Sequence, residues 1–103
     1  MNNRWVISCE HGGNEIPPAY APLFRDAADV LASHRGWDPG TLPLFEQLKP
    51  LADFAKSSTT SRLLIELNRS LHHPHLFSAY THPLPSPEKA HIIRTIIYPT
   101  ARR

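Results

Sequence analysis

The sequence has few of the features that place a protein in a specialised class. Cys9 is the one cysteine among 103 residues, so an internal disulfide is excluded and a reducing compartment is expected. Apolar runs long enough to cross a membrane are absent, and residues 1–5 do not form the apolar region of a signal peptide. The formal net charge is only +2 and the charges are scattered, which argues against a nucleic-acid partner. We therefore expect a cytoplasmic protein without a membrane or nucleic-acid partner.

The remaining composition indicates one small globular domain. Apolar residues make up 41% of the chain and charged residues 19%, which is typical of a folded domain and not of a disordered segment. A chain of this length forms a single domain with a small core. Eleven prolines predict many stiff loops, because proline fixes its own φ angle and lacks an N–H donor.

Three segments predict β-strands. Residues 4–9 include Trp5 and Val6, which suit a buried strand, and residues 53–56 form a second, shorter candidate. Residues 62–67 carry a nearly continuous apolar run. Such a run is typical of a strand that is covered on both faces of a parallel sheet.

Helical patterns lie between and after these strands. Apolar spacing predicts helices over residues 22–33 and 41–51. A third helix is predicted to begin at Ser86, a good N-cap that is followed by Pro87, and residues 68–85 before it suit a long loop. The order of strands and helices predicts an α/β layered domain. Because three parallel strands make a thin sheet, we expect the sheet to be partial and the domain to be incomplete.

The first predicted strand stops at an acid, a histidine and two glycines, Glu10 to Gly13. Loops that follow strands are where α/β proteins place their chemistry, and a neutral imidazole is a strong zinc ligand. His11 is therefore a candidate metal ligand. The alternative is a loop histidine that is hydrogen-bonded to the backbone, and the spacing alone favours this alternative. Glu10 alternates to the other side of the chain, so we do not expect it to reach the same ion.

Asp38 is a second candidate ligand. A carboxylate oxygen suits zinc beside a histidine nitrogen. However, Asp38 precedes Pro39 and Gly40, and an aspartate in this position commonly forms a turn or caps the next helix. The residues alone favour the turn.

The ends of the third predicted strand carry Arg62, Asn68 and Arg69. A guanidinium at a strand end can hold a carboxylate through two parallel hydrogen bonds, and the asparagine amide adds a donor. The alternative is a pair of solvated arginines, with Arg62 balanced by Glu66. We interpret Cys9 as a buried residue of the first strand, since nothing near it in sequence would lower the pKa of its thiol.

Three histidines, His72, His73 and His75, form a further short tract. Histidine-rich tracts can bind metal, but Pro74 separates these residues and no acidic residue or cysteine lies close to them in sequence. A metal site in this tract is therefore the weaker hypothesis.

Three separated segments together resemble the N-formylglutamate amidohydrolase family. They are EHGGNEIPP at residues 10–18, HRGWDPG at 34–40 and SRLLIELNRS at 61–70. The resemblance covers about residues 4–99. It implies a three-layer α/β fold, with a partial, mostly parallel sheet flanked by helices, related to zinc carboxypeptidases and aspartoacylase-like deacylases. It also implies hydrolysis of the amide bond of an N-acyl amino acid.

The resemblance assigns roles to five residues. His11 matches the first metal histidine and Asp38 the expected second ligand of Zn²⁺, whereas Arg62, Asn68 and Arg69 look like the clamp for the substrate carboxylate. Carboxypeptidase relatives place a glutamate three residues after the histidine, a position that Asn14 occupies here.

Family members are much longer than this chain. The resemblance implies that a further metal histidine and the catalytic glutamate, which acts as general base, come from a C-terminal half. We therefore expect residues 1–103 to be one domain that forms the N-terminal portion of an amidohydrolase and carries part of the site.

Two functions follow from these expectations. The first is zinc-dependent hydrolysis of an N-formyl-glutamate-like amide by the complete enzyme, of which this chain carries part of the site. We expect the isolated chain to be inactive or nearly so and to bind zinc weakly, because a catalytic site normally uses three protein ligands. The alternative is a truncated, inactive domain that binds a small carboxylate or a metal. The expected partner is a small N-acyl amino acid or another carboxylate, and the sequence does not indicate an oligomeric state.

Overall fold

The computed structural model describes residues 4–98. Residues 1–3 and 99–103, on which the expectations about the chain ends partly rest, lie outside the described residues. In chain order the elements are strand β1 (Val6–Cys9), a 3₁₀ helix (Pro18–Phe24), helix α1 (Ala28–Ala32), helix α2 (Thr41–Leu48), a 3₁₀ turn (Lys49–Leu51), strand β2 (Phe54–Ser57) and helix α3 (Ser86–Ile92), which continues as a π-helical turn (Ile93–Ile97). No helix within residues 4–98 is both long enough and apolar enough to cross a membrane.

Strands β1 and β2 form a two-stranded parallel sheet, which confirms an α/β domain. Val6 lies opposite Phe54, and the register continues to Cys9 opposite Ser57. Each strand begins within two residues of its predicted start. Parallel strands need a crossover between them, and here residues 10–53 supply it. This crossover carries α2, which packs on β1.

The prediction of a third strand over residues 62–67 is wrong. Leu63 and Leu64 are buried, as the apolar run predicts, but the segment consists of turns and irregular backbone. Its carbonyl groups accept hydrogen bonds from side chains instead of from a neighbouring strand, since Ser78 Oγ donates to Leu63 and Thr81 Oγ1 donates to Leu64. An apolar run predicts burial, but the hydrogen-bond partners that the fold supplies decide the conformation.

The predicted helix over residues 22–33 is interrupted. The 3₁₀ helix ends at Phe24 and α1 begins at Ala28. Pro22 lies inside the 3₁₀ helix, where its missing N–H is tolerated better than in an α-helix interior. Phe24 and Ala27 are nevertheless buried, so the predicted apolar face is correct although the continuous helix is not.

One hydrophobic core lies around the turn segment, between the 3₁₀ helix, the loop before α3 and α3 itself. Its buried members are Tyr20, Phe24, Ala27, Leu63, Leu64, Ile65, Leu76 and Ile92. Helix α3 contributes Ile92 and begins at Ser86 as predicted, although the N-cap position belongs to Pro85 and no side chain caps the helix.

The sheet lies at the side of this core, and the prediction of a buried first strand is wrong at its start. Trp5 is 68% exposed and Val6 is 67% exposed. Helix α2 covers one face of β1, where Cys9 is buried next to Thr41. Side chains alternate along a strand, so Val6 points away from that face. As a result the loop after Cys9 begins where the sheet, α2 and the core meet.

Candidate functional site

The glycines after β1 let the loop lie against the backbone that follows β2. Gly12 N–H donates to Ser58 O at 3.0 Å, and a Cβ atom on Gly12 would lie 2.9 Å from Cys9 Sγ. A Cβ atom on Gly13 would lie 2.7 Å from Thr59 O. The close approach that requires glycine here is therefore to the neighbouring segment of the chain. This packing fixes the position of His11 between the two glycines and the strand.

His11 is almost completely buried, with 1% of its surface exposed. Its Nε2 is hydrogen-bonded to Glu66 Oε1, while its Nδ1 is buried and has no hydrogen-bond partner within residues 4–98. An ionised carboxylate can only accept, so Nε2 must carry the proton and donate it. In the neutral ring this leaves a lone pair on the unpartnered Nδ1.

Asp38 lies directly beside the backbone of His11, because Asp38 N–H donates to His11 O at 2.9 Å. The predicted turn is present, since Asp38 O accepts from the Thr41 backbone at 3.2 Å and from its hydroxyl at 2.6 Å. The carboxylate, however, does not cap α2, whose N-cap is Gly40 with φ 89°. It pairs instead with Arg62 Nη2. The turn interpretation of Asp38 is therefore confirmed for its backbone, and the role of its carboxylate toward zinc stays a prediction.

Arg62 joins the two acidic residues of the site. Its Nη2 pairs with Asp38, and its Nη1 lies 3.9 Å from Glu66 Oε2. The Arg62 backbone N–H donates to Gly36 O at 3.0 Å, which ties the turn segment to the loop that carries Asp38. His11, Glu66, Arg62 and Asp38 thus form a continuous chain of polar contacts between segments that are far apart in sequence.

The electrostatics of Glu66 follow from this network. Partial burial alone would raise the pKa of its carboxyl group. The hydrogen bonds from His11 and from the Asn68 backbone, with the charges of His11 and Arg62, outweigh this effect and lower the pKa below its ordinary value. Glu66 is therefore ionised at neutral pH, as the hydrogen bond from His11 Nε2 requires.

Asn68 and Arg69 lie at the edge of this network. Both residues are exposed. The Asn68 backbone N–H donates to Glu66 Oε1 at 3.1 Å, and no hydrogen bond of either side chain is found within residues 4–98. Of the predicted clamp, the structure brings Arg62 together with His11 and Asp38, and it leaves Asn68 and Arg69 with their side chains toward solvent.

Glu66 is the site residue that the sequence analysis missed. The sequence places it four residues after Arg62, which suggested that it balances the arginine charge. Its main partner is instead His11, 55 positions away. The signal was an acidic residue inside an otherwise apolar run, since a buried carboxylate needs a hydrogen-bond donor. The identity of that donor depends on the tertiary fold.

His11 and Asp38 border one open cavity of about 360 Å³. Glu10 is also among the residues that border it, and the prediction that Glu10 does not reach the same ion as His11 stays a prediction. Within residues 4–98, no group of three or more His, Cys, Asp and Glu side chains is arranged to hold a metal ion. This result applies equally to the histidine tract, where the rings of His73 and His75 lie 5.6 Å apart.

Comparison with known families gives a match over nearly the whole chain. The family model described as N-formylglutamate amidohydrolase matches residues 3–99. Comparison with curated proteins and with solved structures gives no match. The matched region contains all four residues of the polar network.

Proposed function

Because the chain belongs to the N-formylglutamate amidohydrolase family, we propose that it serves zinc-dependent hydrolysis of the amide bond of an N-acyl amino acid. His11 and Asp38 are the proposed zinc ligands. The observation that carries this proposal is the buried, unpartnered Nδ1 of His11, whose other ring nitrogen is held by Glu66. The family membership supports amide hydrolysis, and the histidine supports the metal.

The donor atoms at this site fit zinc in type. A histidine that binds zinc usually donates its second ring N–H to a carboxylate or carbonyl, which fixes the tautomer and orients the ring. His11 and Glu66 form such a pair, and Asp38 supplies a carboxylate on the same cavity. The number of donors is smaller than the three protein ligands of a typical catalytic zinc, so the proposal includes weak zinc binding by these residues alone.

The chain's own residues have separate roles in this proposal. When bound, zinc acts as a Lewis acid and lowers the pKa of water. Glu66 holds the His11 ring, and Arg62 provides the positive charge for the substrate carboxylate. Arg62 Nη2 pairs with the Asp38 carboxylate. A rotation of the Asp38 carboxylate toward a metal would therefore free Arg62 Nη2 to donate to the substrate. Asn68 and Arg69 add donors from the exposed edge.

The zinc site is tested by replacement of its histidine. We expect His11→Ala to abolish measurable zinc binding in calorimetric titration, because it removes the one nitrogen donor. The matched control is His73→Ala, which removes a histidine from the separate tract and leaves zinc binding unchanged. Equal zinc affinity in wild type and His11→Ala contradicts the proposed ligand, and a loss caused by His73→Ala assigns zinc to the histidine tract.

Hydrolysis is tested separately from metal binding. The chain is incubated with zinc and a series of N-acyl amino acids, and the released amine is quantified. Because the resemblance places the general base outside this chain, we expect only slow release above that of zinc in buffer, and we expect His11→Ala to remove the excess. Zinc binding without any release contradicts hydrolysis by this chain. That outcome supports the alternative of an inactive domain that binds a metal, which the small number of donors also favours.

A further inference from the structure

The cavity beside the proposed zinc ligands is bordered by residues of two chemical kinds. Glu10, His11, Asp38 and Thr41 are polar, whereas Ile7 of β1 and Leu44, Phe45 and Leu48 of α2 are apolar. Phe45 is buried, whereas Leu44 and Leu48 are partly open to solvent. The apolar wall that α2 forms arises from its amphipathic pattern, in which apolar residues repeat at positions 44, 45 and 48.

The charges around the cavity do not suit a glutamate side chain. Within residues 4–98 no lysine or arginine borders it, and its ionisable residues besides His11 and Cys9 are Glu10 and Asp38. A buried carboxylate needs a cation or several donors. Arg62 already faces Asp38 and Glu66 and does not border the cavity, so it can serve one substrate carboxylate outside it.

The proposed positions of the substrate's carboxylate and amide give the substrate a direction. In an N-acyl amino acid the scissile amide lies between the α-carboxylate and the acyl group. With the α-carboxylate at Arg62 and the amide at His11 and Asp38, the acyl group enters the cavity. A formyl group has one carbon, so it would leave most of the cavity of about 360 Å³ filled with water. A longer apolar chain would displace that water and contact α2.

We propose that the substrates of this site are amino acids with an apolar N-acyl chain of several carbons, which lies against Leu44, Phe45 and Leu48. This inference rests on the proposed function for the position of the amide. Each buried methylene contributes about 0.8 kcal/mol, or about a fourfold gain in binding when it is fully buried. We therefore expect N-hexanoyl-glycine to be preferred over N-formyl-glycine and N-formyl-glutamate by at least about tenfold in kcat/KM.

The variant that tests this wall is Leu44→Lys. Leu44 is 55% exposed, and lysine is a good helix former, so the fold is expected to persist. The matched control is Leu51→Lys. Leu51 is 76% exposed and borders an adjacent apolar cavity, which shares Ile7 and Leu48 with the one beside His11 but does not include Leu44 or Phe45. Leu44→Lys is expected to remove the preference for the hexanoyl chain, and Leu51→Lys to retain it.

Two readouts separate this inference from the proposed function. The first is kcat/KM for the three substrates with zinc. The second is binding of sodium hexanoate to the zinc-free chain, followed by the NMR shifts of the Leu44 and Phe45 side chains. Hexanoate binding that Leu44→Lys weakens and Leu51→Lys retains supports the apolar site even if no amide is cleaved, in which case only the proposed function fails.

Three outcomes overturn the inference. One is a preference for N-formyl-glutamate over N-hexanoyl-glycine. Another is hexanoate binding that the two lysine variants weaken equally. The last is a concentration-dependent dimer in sedimentation that Leu44→Lys dissociates, with no hexanoate effect at Leu44 or Phe45. That result would make the wall a contact between two copies of the chain.

Discussion

Gly36→Ala is expected to destabilise the chain by about 3 kcal/mol, through overpacking and loss of backbone hydrogen bonds. A Cβ atom on Gly36 would lie 2.2 Å from Leu31 O and 2.7 Å from Leu31 C. Both are backbone atoms, so a side-chain rotation cannot relieve the clash. Gly36 O also accepts hydrogen bonds from Arg62 N–H at 3.0 Å and from Ser61 Oγ at 2.8 Å. A shift of Gly36 therefore separates the loop of Asp38 from the segment of Arg62.

Urea denaturation of the variant measures this effect, and Gly40→Asn is the control. Gly40 has a positive φ of 89°, and a Cβ atom there meets nothing within 4 Å. Asparagine tolerates the left-handed region, so we expect Gly40→Asn to cost less than about 1 kcal/mol. Equal costs for the two variants would show that the contact between Gly36 and Leu31 does not constrain the loop.

Glu66→Ala is expected to weaken zinc binding by about 10- to 100-fold, the range found when a group that orients a metal ligand is removed. Glu66 accepts the hydrogen bond from His11 Nε2. Without it the ring is free to change tautomer, and Nδ1 no longer carries a fixed lone pair. Arg62 also loses an acidic partner at 3.9 Å, which leaves it facing Asp38 alone and strengthens its competition with zinc for that carboxylate.

Calorimetric zinc titration measures this loss, and Glu46→Ala is the matched control. Glu46 is an exposed glutamate on α2 whose ion partner is Lys49 at 3.9 Å, so its removal changes the net charge equally without touching His11. Glu66→Gln keeps an acceptor for Nε2–H and is expected to retain more affinity than Glu66→Ala. An equal and small effect of Glu66→Ala and Glu46→Ala contradicts the role of Glu66 in orienting His11.

The parts of the fold that the sequence predicts are those with a strong local pattern. Strands β1 and β2 and helices α2 and α3 lie close to their predicted positions, because alternation, helical spacing and proline placement act within a few residues. The prediction of a strand over residues 62–67 failed for a physical reason. A run of apolar residues is compatible with any buried conformation. Here the side chains of Ser78 and Thr81, which lie more than ten positions further along the chain, donate hydrogen bonds to its carbonyl groups.

Only part of the site could be predicted from the sequence. Motif resemblance predicted His11, Asp38 and Arg62, and the structure brings these three together, while their roles toward zinc and substrate remain proposals. The pairing of His11 with Glu66 could not be predicted, since it depends on how the segment 62–67 packs against the loop after β1. The exposure of Trp5 and Val6 was also missed, because a strand's own residues do not reveal which of its faces the rest of the chain covers.

Nitrogen-15 NMR of the His11 ring, before and after addition of zinc, tests the central claim most directly. We expect Nε2 to be protonated in both states because Nε2–H donates its hydrogen bond to Glu66, and we expect the Nδ1 signal to shift when zinc binds. The histidine tract of His72, His73 and His75 provides internal controls. An Nδ1 signal of His11 that does not move while zinc shifts those of the histidine tract would contradict a metal site at His11.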